Sequence, residues 1–257
     1  MNLLFVGDVF GRPGRDALLG WLPGFVAEHG VGFVVANGEN AANGAGITSK
    51  IALRLLDAGV DVITTGNHVW RQKEVFDFLA RDERIVRPAN YPEGAPGRGL
   101  TVRSARDGSP VAVIDLAGSL FMDTGLSPFR IIDRLVDQAS KQAETIVVDL
   151  HAEATSEKVA MGHHLDGRVT LVVGTHTHVQ TSDARVLPGG TAYITDVGMT
   201  GPAESVIGVS KEIILRRFLT EMPVQFEVAE GPVRIDAVLV AVEGGRARSI
   251  ETIETIV

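Results

Sequence analysis

Short apolar runs and amphipathic stretches alternate along the first part of the chain. The runs at 3–6, 31–36 and 60–64 read as buried strands. The stretches 15–28, 51–58 and 73–81 read as helices, the first carrying Pro23, which should kink or end it. This β-α-β-α order predicts a largely parallel sheet covered by helices. Residues 87–99 hold Pro88, Pro92, Pro96, Gly94, Gly97 and Gly99 and read as a long surface loop. Then 100–104 and 111–116 form a hairpin pattern around Arg106-Asp107-Gly108, and 129–143 reads as an amphipathic helix. Buried strands follow at 145–150 and 169–174, with a helix over 157–164 between them. The last third is strand-rich, at 184–187, 191–194, 225–229, 235–242 and 249–256, interrupted by one helix over 212–219. No repeat, low-complexity tract or linker breaks the pattern. It predicts a single domain over 1–257 with two sheets.

Composition excludes several chemistries. The 257 residues are 45% hydrophobic and 22% charged, which suits a packed globular chain and not a disordered one. There is no cysteine, so disulfides, thiolate zinc sites, Fe–S clusters and a cysteine nucleophile are out. A net charge of −8 argues against an extended nucleic-acid surface. It leaves room for a small phosphate-bearing substrate, because a metal can supply positive charge locally. Met1–Val6 lacks the basic and apolar regions of a signal peptide, and no run approaches the ~20 apolar residues of a membrane span. The expectation is a cytoplasmic protein with no membrane partner.

Five polar loops follow apolar strands: Asp8; Asn37-Gly38-Glu39-Asn40; Gly66-Asn67-His68; His151; and His176-Thr177-His178. Loops at the carboxyl ends of parallel strands share one edge of a sheet, where ligands bind. Taken singly, each residue has an ordinary role. Asp8 could cap a helix, Glu39, Asn67 and His68 could be turn residues, and His151 could be structural. His176 and His178 are two apart, so on a strand they would point the same way. Taken together, two carboxylates and several imidazoles converging without a cation would repel and lose hydration, and a bound dication removes both problems. The joint pattern therefore predicts a metal site. His29 ends a helix, His163 and His164 close another, Asp196 reads as loop-forming with a supporting place behind the ligands as the alternative, and Arg12, Arg15 and Lys158 read as surface charges with phosphate holding as the alternative.

These motifs resemble the calcineurin-like metallophosphoesterase superfamily, whose signature runs D-x-H, G-D, G-N-H-[DE], H and G-H-x-H. The counterparts span residues 7 to 178 in the same order. Three positions depart from it: Phe10 for a ligand His, Glu39 for the bridging Asp, and Val69 for the acid after Asn-His. The variants Gly-Asp-Val-Phe-Gly, Asn-Gly-Glu-Asn and Thr-His-Thr-His-Val-Gln-Thr are similar to the bacterial YmdB-like branch. That resemblance implies a four-layer α/β/β/α sandwich, two sheets flanked by helices. It implies two metal ions per chain, iron or manganese with zinc as an alternative. One ion would take Asp8, Glu39, Asn40 and His178, and the other Glu39, Asn67, His151 and His176, with Glu39 bridging. The implied activity is hydrolysis of cyclic nucleotides of the 2′,3′-cyclic AMP type by a metal-activated hydroxide, with His68 as general acid. His68 as a mere phosphate donor, a phosphomonoesterase or protein phosphatase, and a metal-binding regulatory protein with weak turnover are the alternatives. The expected partner is a small phosphodiester or cyclic nucleotide; the sequence leaves a homo-oligomer open.

Overall fold

The computed structural model describes residues 1–257. Its first elements are β1 (Asn2–Val6), β2 (Asp8–Val9), α1 (Gly11–His29), β3 (Val31–Asn37), α2 (Ser49–Asp57), β4 (Val62–Thr64) and α3 (Val75–Arg81). Next come β5 (Leu100–Ser104), β6 (Pro110–Ala117), α4 (Ile132–Ala139), β7 (Thr145–His151), α5 (Thr155–Leu165), β8 (Leu171–Thr175), β9 (Arg185–Val186) and β10 (Ala192–Ile194). The chain closes with β11 (Met199–Pro202), α6 (Lys211–Thr220), β12 (Val233–Glu243) and β13 (Arg246–Ile256).

The first sheet runs β2-β11-β12-β1-β3-β4, with β13 also on β12; the second runs β5-β6-β7-β8-β10-β9. Both are mixed. Strands β1, β3 and β4 are parallel, whereas β12 enters antiparallel beside β1. Strands β6, β7, β8 and β10 are parallel, with antiparallel edges at β5 and β9. The alternation of side chains along each strand explains the layers. Leu3, Phe5, Phe33 and Val35 meet Val113, Val147 and Val173 between the sheets. Leu4, Val34 and Ile63 turn outward onto Leu18, Leu22 and Leu55 of the helices. Ile114, Val148 and Val172 do the same against Val136, Met161 and Leu165. The result is the four-layer α/β/β/α sandwich. Strands buried on both faces read as unbroken apolar runs, which is why they were legible.

Several element expectations need correction. Helix α1 begins at Gly11 and passes through Pro23, which is exposed; the helix ends at Gly30, whose φ of 57° suits glycine. Residues 225–229 are not a strand. They are mostly exposed and tied to the rest by one bridge, Val209 to Val228. The 129–143 helix is a 3-10 turn at Pro128–Arg130 followed by the shorter α4. Strands β2 and β11, at two and four residues, are too short to show a period, yet they pair with each other beside Asp8. No helix is long and apolar enough to cross a membrane.

Candidate metal centre

The carboxyl ends of β1, β3, β4, β7 and β8 and the residues that follow them bring the expected groups to one edge of the sandwich, with His151 closing β7 and Asp8 opening β2. Asp8, Glu39 and His151 are 0% exposed, and Asn40 and His178 are buried beside them. Two neighbouring groups of donor atoms form there. In the first, Asn40 Nδ2 lies 3.0 Å from His178 Nε2 and 3.4 Å from Asp8 Oδ1, and His178 Nε2 is 3.7 Å from that oxygen. Turning the Asn40 amide over would present its oxygen to the same pair. In the second, His151 Nε2 lies 3.1 Å from Asn67 Oδ1, 3.0 Å from His176 Nδ1 and 2.9 Å from Glu39 Oε1. The donor atoms of Glu39, His151 and His176 all lie within 4.8 Å of one another.

Glu39 Oε1 is the test of whether a cation fits. It is buried and makes no aligned hydrogen bond, although His151 Nε2 and His68 Nδ1 lie at 2.9 and 3.1 Å. Those nitrogens crowd the carboxylate from off-axis directions. Together with imidazole nitrogens only 3.0 Å apart, they make a donor set suited to a metal and poorly suited to its own hydrogen bonding. Burial alone would raise the Glu39 carboxyl, but the neighbouring His151 and His68 overcome it and hold it well below the usual range. Burial likewise opposes charge on His151, yet Glu39 and Asp8 push its imidazole up to about 9. His176 is driven down to about 3 by burial and then by His151. For Asp8, burial prevails over His178 and His151, and its carboxyl is raised.

Local backbone features aim these groups. His176 and His178 do not lie on a strand, contrary to the spacing argument. They follow β8 with φ of 94° and 65°, left-handed values that turn both rings into the cluster. Gly66 must lack a side chain, because a Cβ there would collide with the Glu39 carboxylate and the His151 ring. Thr175 Oγ1 lies 2.8 Å from His151 Nδ1 and donates to Asp149 Oδ1 at 2.8 Å, fixing the ring from behind. Asn37 Nδ2 and Thr64 Oγ1 donate to the other Asp149 oxygen, at 3.0 and 2.6 Å.

Lys158 is a correction. It is not a surface charge but 1% exposed, with Nζ 2.7 Å from Asp196 Oδ2 and 3.1 Å from Thr177 Oγ1. Asp196 in turn accepts from Thr177 N and Gly198 N, so it shapes the histidine loop as expected and also neutralises the lysine. Arg12 pairs with Asp16, and Arg15 donates to the Ala41 carbonyl; neither lines the cleft. His29 stacks on Phe25, while His163 and His164 are exposed. Phe10 occupies the place of the superfamily's ligand histidine and packs edge-on against His178, centroids 5.7 Å apart. Val69 is core.

His68 is only partly buried. Its Nδ1 contacts Glu39 Oε1 and lies 3.0 Å from Asn40 Oδ1, its backbone N–H donates to Glu39 Oε2, and Nε2 has no hydrogen-bond partner. The ring lines a cavity of about 710 Å³ shared with Arg71, His176 and His178. Sequence reasoning missed Arg71, an exposed guanidinium with no acidic partner. Its only signal is a place four residues after Asn67.

The sandwich and its strand-end cluster define a metallophosphoesterase. Residues 4–253 match the family described as YmdB-like protein, and the chain belongs to that family. It is 48% identical over 251 residues to the 2′,3′-cyclic-nucleotide 2′-phosphodiesterase of Bacillus subtilis, covering 98% of this chain and 95% of that one. A crystal structure of a hypothetical protein from Thermus thermophilus is similar at TM-score 0.93 and 44% identity, covering 100% of this chain and 99% of the other. That of a phosphatase from Mycoplasma pneumoniae is similar at 0.92 and 33%, covering 100% and 93%.

Proposed function

We propose that this protein is a two-metal phosphodiesterase that opens 2′,3′-cyclic nucleotides, with residues 1–257 forming one catalytic unit. The observation that carries it is the Glu39 carboxylate, fully buried, with Oε1 making no aligned hydrogen bond while it lies against His151 in a cluster with His176. The kinship with the Bacillus subtilis enzyme supports the substrate class.

Asp8, Asn40 and His178 would hold one ion and Asn67, His151 and His176 the other, with Glu39 reaching both. Oxygen and imidazole donors suit manganese, iron or zinc better than magnesium or calcium. Bound there, the ions would withdraw charge from the phosphate oxygens and make water a nucleophile at neutral pH. The chain's own groups do the rest. Glu39 engages His68 Nδ1, which leaves Nε2 as the nitrogen that delivers a proton to the departing ribose oxygen. Arg71 presents its guanidinium to the phosphate, where a fork of N–H donors matches two oxygens. Glu153 Oε2 sits 3.2 Å from His176 Nε2, which steadies that ring with Nδ1 toward His151.

The test is turnover of 2′,3′-cyclic AMP against p-nitrophenyl phosphate by manganese-loaded protein. The proposal expects the diester to be strongly preferred. Preference for the monoester would make the protein a phosphomonoesterase, and metal binding without turnover of either would make it a binding protein.

A further inference from the structure

The cleft is lined by two unlike sets of residues: histidines and Arg71, and the apolar Phe10, Ile207, Val209, Phe226 and Val228. Chemistry at phosphorus uses only the first. Within the apolar set, Phe10 is 5% exposed and turned edge-on to His178, so it offers no free face. Phe226 is different. Its ring is 50% exposed and belongs to the irregular segment between α6 and β12. That segment is tied down just after the ring, by Ser210 N–H to the Glu227 carbonyl and by Ala229 N–H to the Gly208 carbonyl, each 3.0 Å.

The guanidinium of Arg217 on α6 stands over the Phe226 ring, 5.1 Å from its centroid. Phe226 lines the cleft and Arg217 does not, so the guanidinium backs the ring from outside the cavity. It has no carboxylate partner, and the aromatic ring is its contact. A half-exposed aromatic ring that lines the cleft and is backed by a cation is built to receive another flat ring.

We propose that Phe226 is the substrate-binding residue that stacks on the nucleobase, with Arg217 as the positioning residue that holds the ring. This rests on the cyclic-nucleotide reading of the metal centre. The phosphate then lies at the histidine and Arg71 end, and the base at the Phe226 end. A cavity of about 710 Å³ suits a nucleotide. Stacking engages the π-face that every base has, so the four bases are accepted with little discrimination.

The experiment is titration calorimetry of metal-loaded protein with adenosine 3′-monophosphate and with inorganic phosphate. Wild type binds the nucleotide more tightly. Phe226→Ala weakens the nucleotide by roughly tenfold, within the usual range for base–aromatic stacking, with phosphate affinity little changed. Phe226→Trp restores it, and Arg217→Ala gives a smaller loss in the same direction. Kinetically, Phe226→Ala acts on KM for 2′,3′-cyclic AMP more than on kcat. Equal nucleotide affinity in wild type and Phe226→Ala overturns the proposal, as does a wild type that binds nucleotide no better than phosphate. A Phe226-dependent nucleotide affinity without turnover of cyclic AMP would contradict the phosphodiesterase reading and leave the stacking wall standing.

Discussion

At the scale of single residues, the role proposed for His68 is proton delivery and not metal holding. Nδ1 faces Glu39 and Asn40, while Nε2 is free at the cleft. His68→Ala should keep its metal yet lose roughly 10²–10⁴ in rate on 2′,3′-cyclic AMP, whose leaving alkoxide needs a proton. Its rate on bis-p-nitrophenyl phosphate should fall much less, because nitrophenolate leaves unprotonated; kcat on both substrates with metal content alongside decides it. Gly66→Ala should fail differently, losing metal and slowing both substrates alike, because its Cβ would displace Glu39 and His151. The convergence of Asp8, Glu39, Asn40, Asn67, His68, His151, His176 and His178 on one edge was legible because each stands in or beside a short polar break at the end of an apolar strand. Arg71 and Phe226 were not, since neither sits in a motif and only the folded cleft places them beside the histidines. Lys158 was misread because its partner, Asp196, lies 38 residues away.

At the scale of elements, buried ionisable pairs hold the short pieces in place. Lys158 of α5 meets Asp196 just before β11, and the pair positions the loop carrying His176 and His178. Lys158→Ala leaves Asp196 buried and uncompensated, so chemical denaturation should show a loss of about 3–5 kcal/mol. Asp236 of β12 accepts from Met199 N–H of β11 at 3.1 Å, and burial raises its carboxyl from 3.8 to about 6. Between those values the folded chain keeps a proton that the unfolded chain has released. This carboxyl's contribution to stability therefore falls as pH rises from about 4 to 6. Asp236→Asn should remove that dependence, seen as a wild-type-minus-variant difference in unfolding free energy that declines across the window; a flat difference would contradict it. Elements with a clear period were legible to within a few residues. Helix α1 runs past Pro23, which lies on its exposed face, and Phe226 and Val228 line the cleft instead of forming a strand.

At the scale of the whole molecule, the active edge exists because two sheets end at one place. Glu39 and Asn67 come from loops of the first sheet, His151 and His176 from the second. Alternating strand and helix patterns foretold a layered α/β chain, and the motif resemblance supplied the four layers. The antiparallel entry of β12 between β11 and β1 was not legible, because strand order depends on long-range pairing that no local period records. The central claim is that Glu39 joins both halves through two ions. Elemental analysis of manganese-reconstituted wild type and Glu39→Gln tests it most directly. The account predicts about two ions per wild-type chain, and loss of metal from both sites in the variant together with turnover of 2′,3′-cyclic AMP. A wild type that holds no more than one ion, or a Glu39→Gln variant that keeps two, would contradict it.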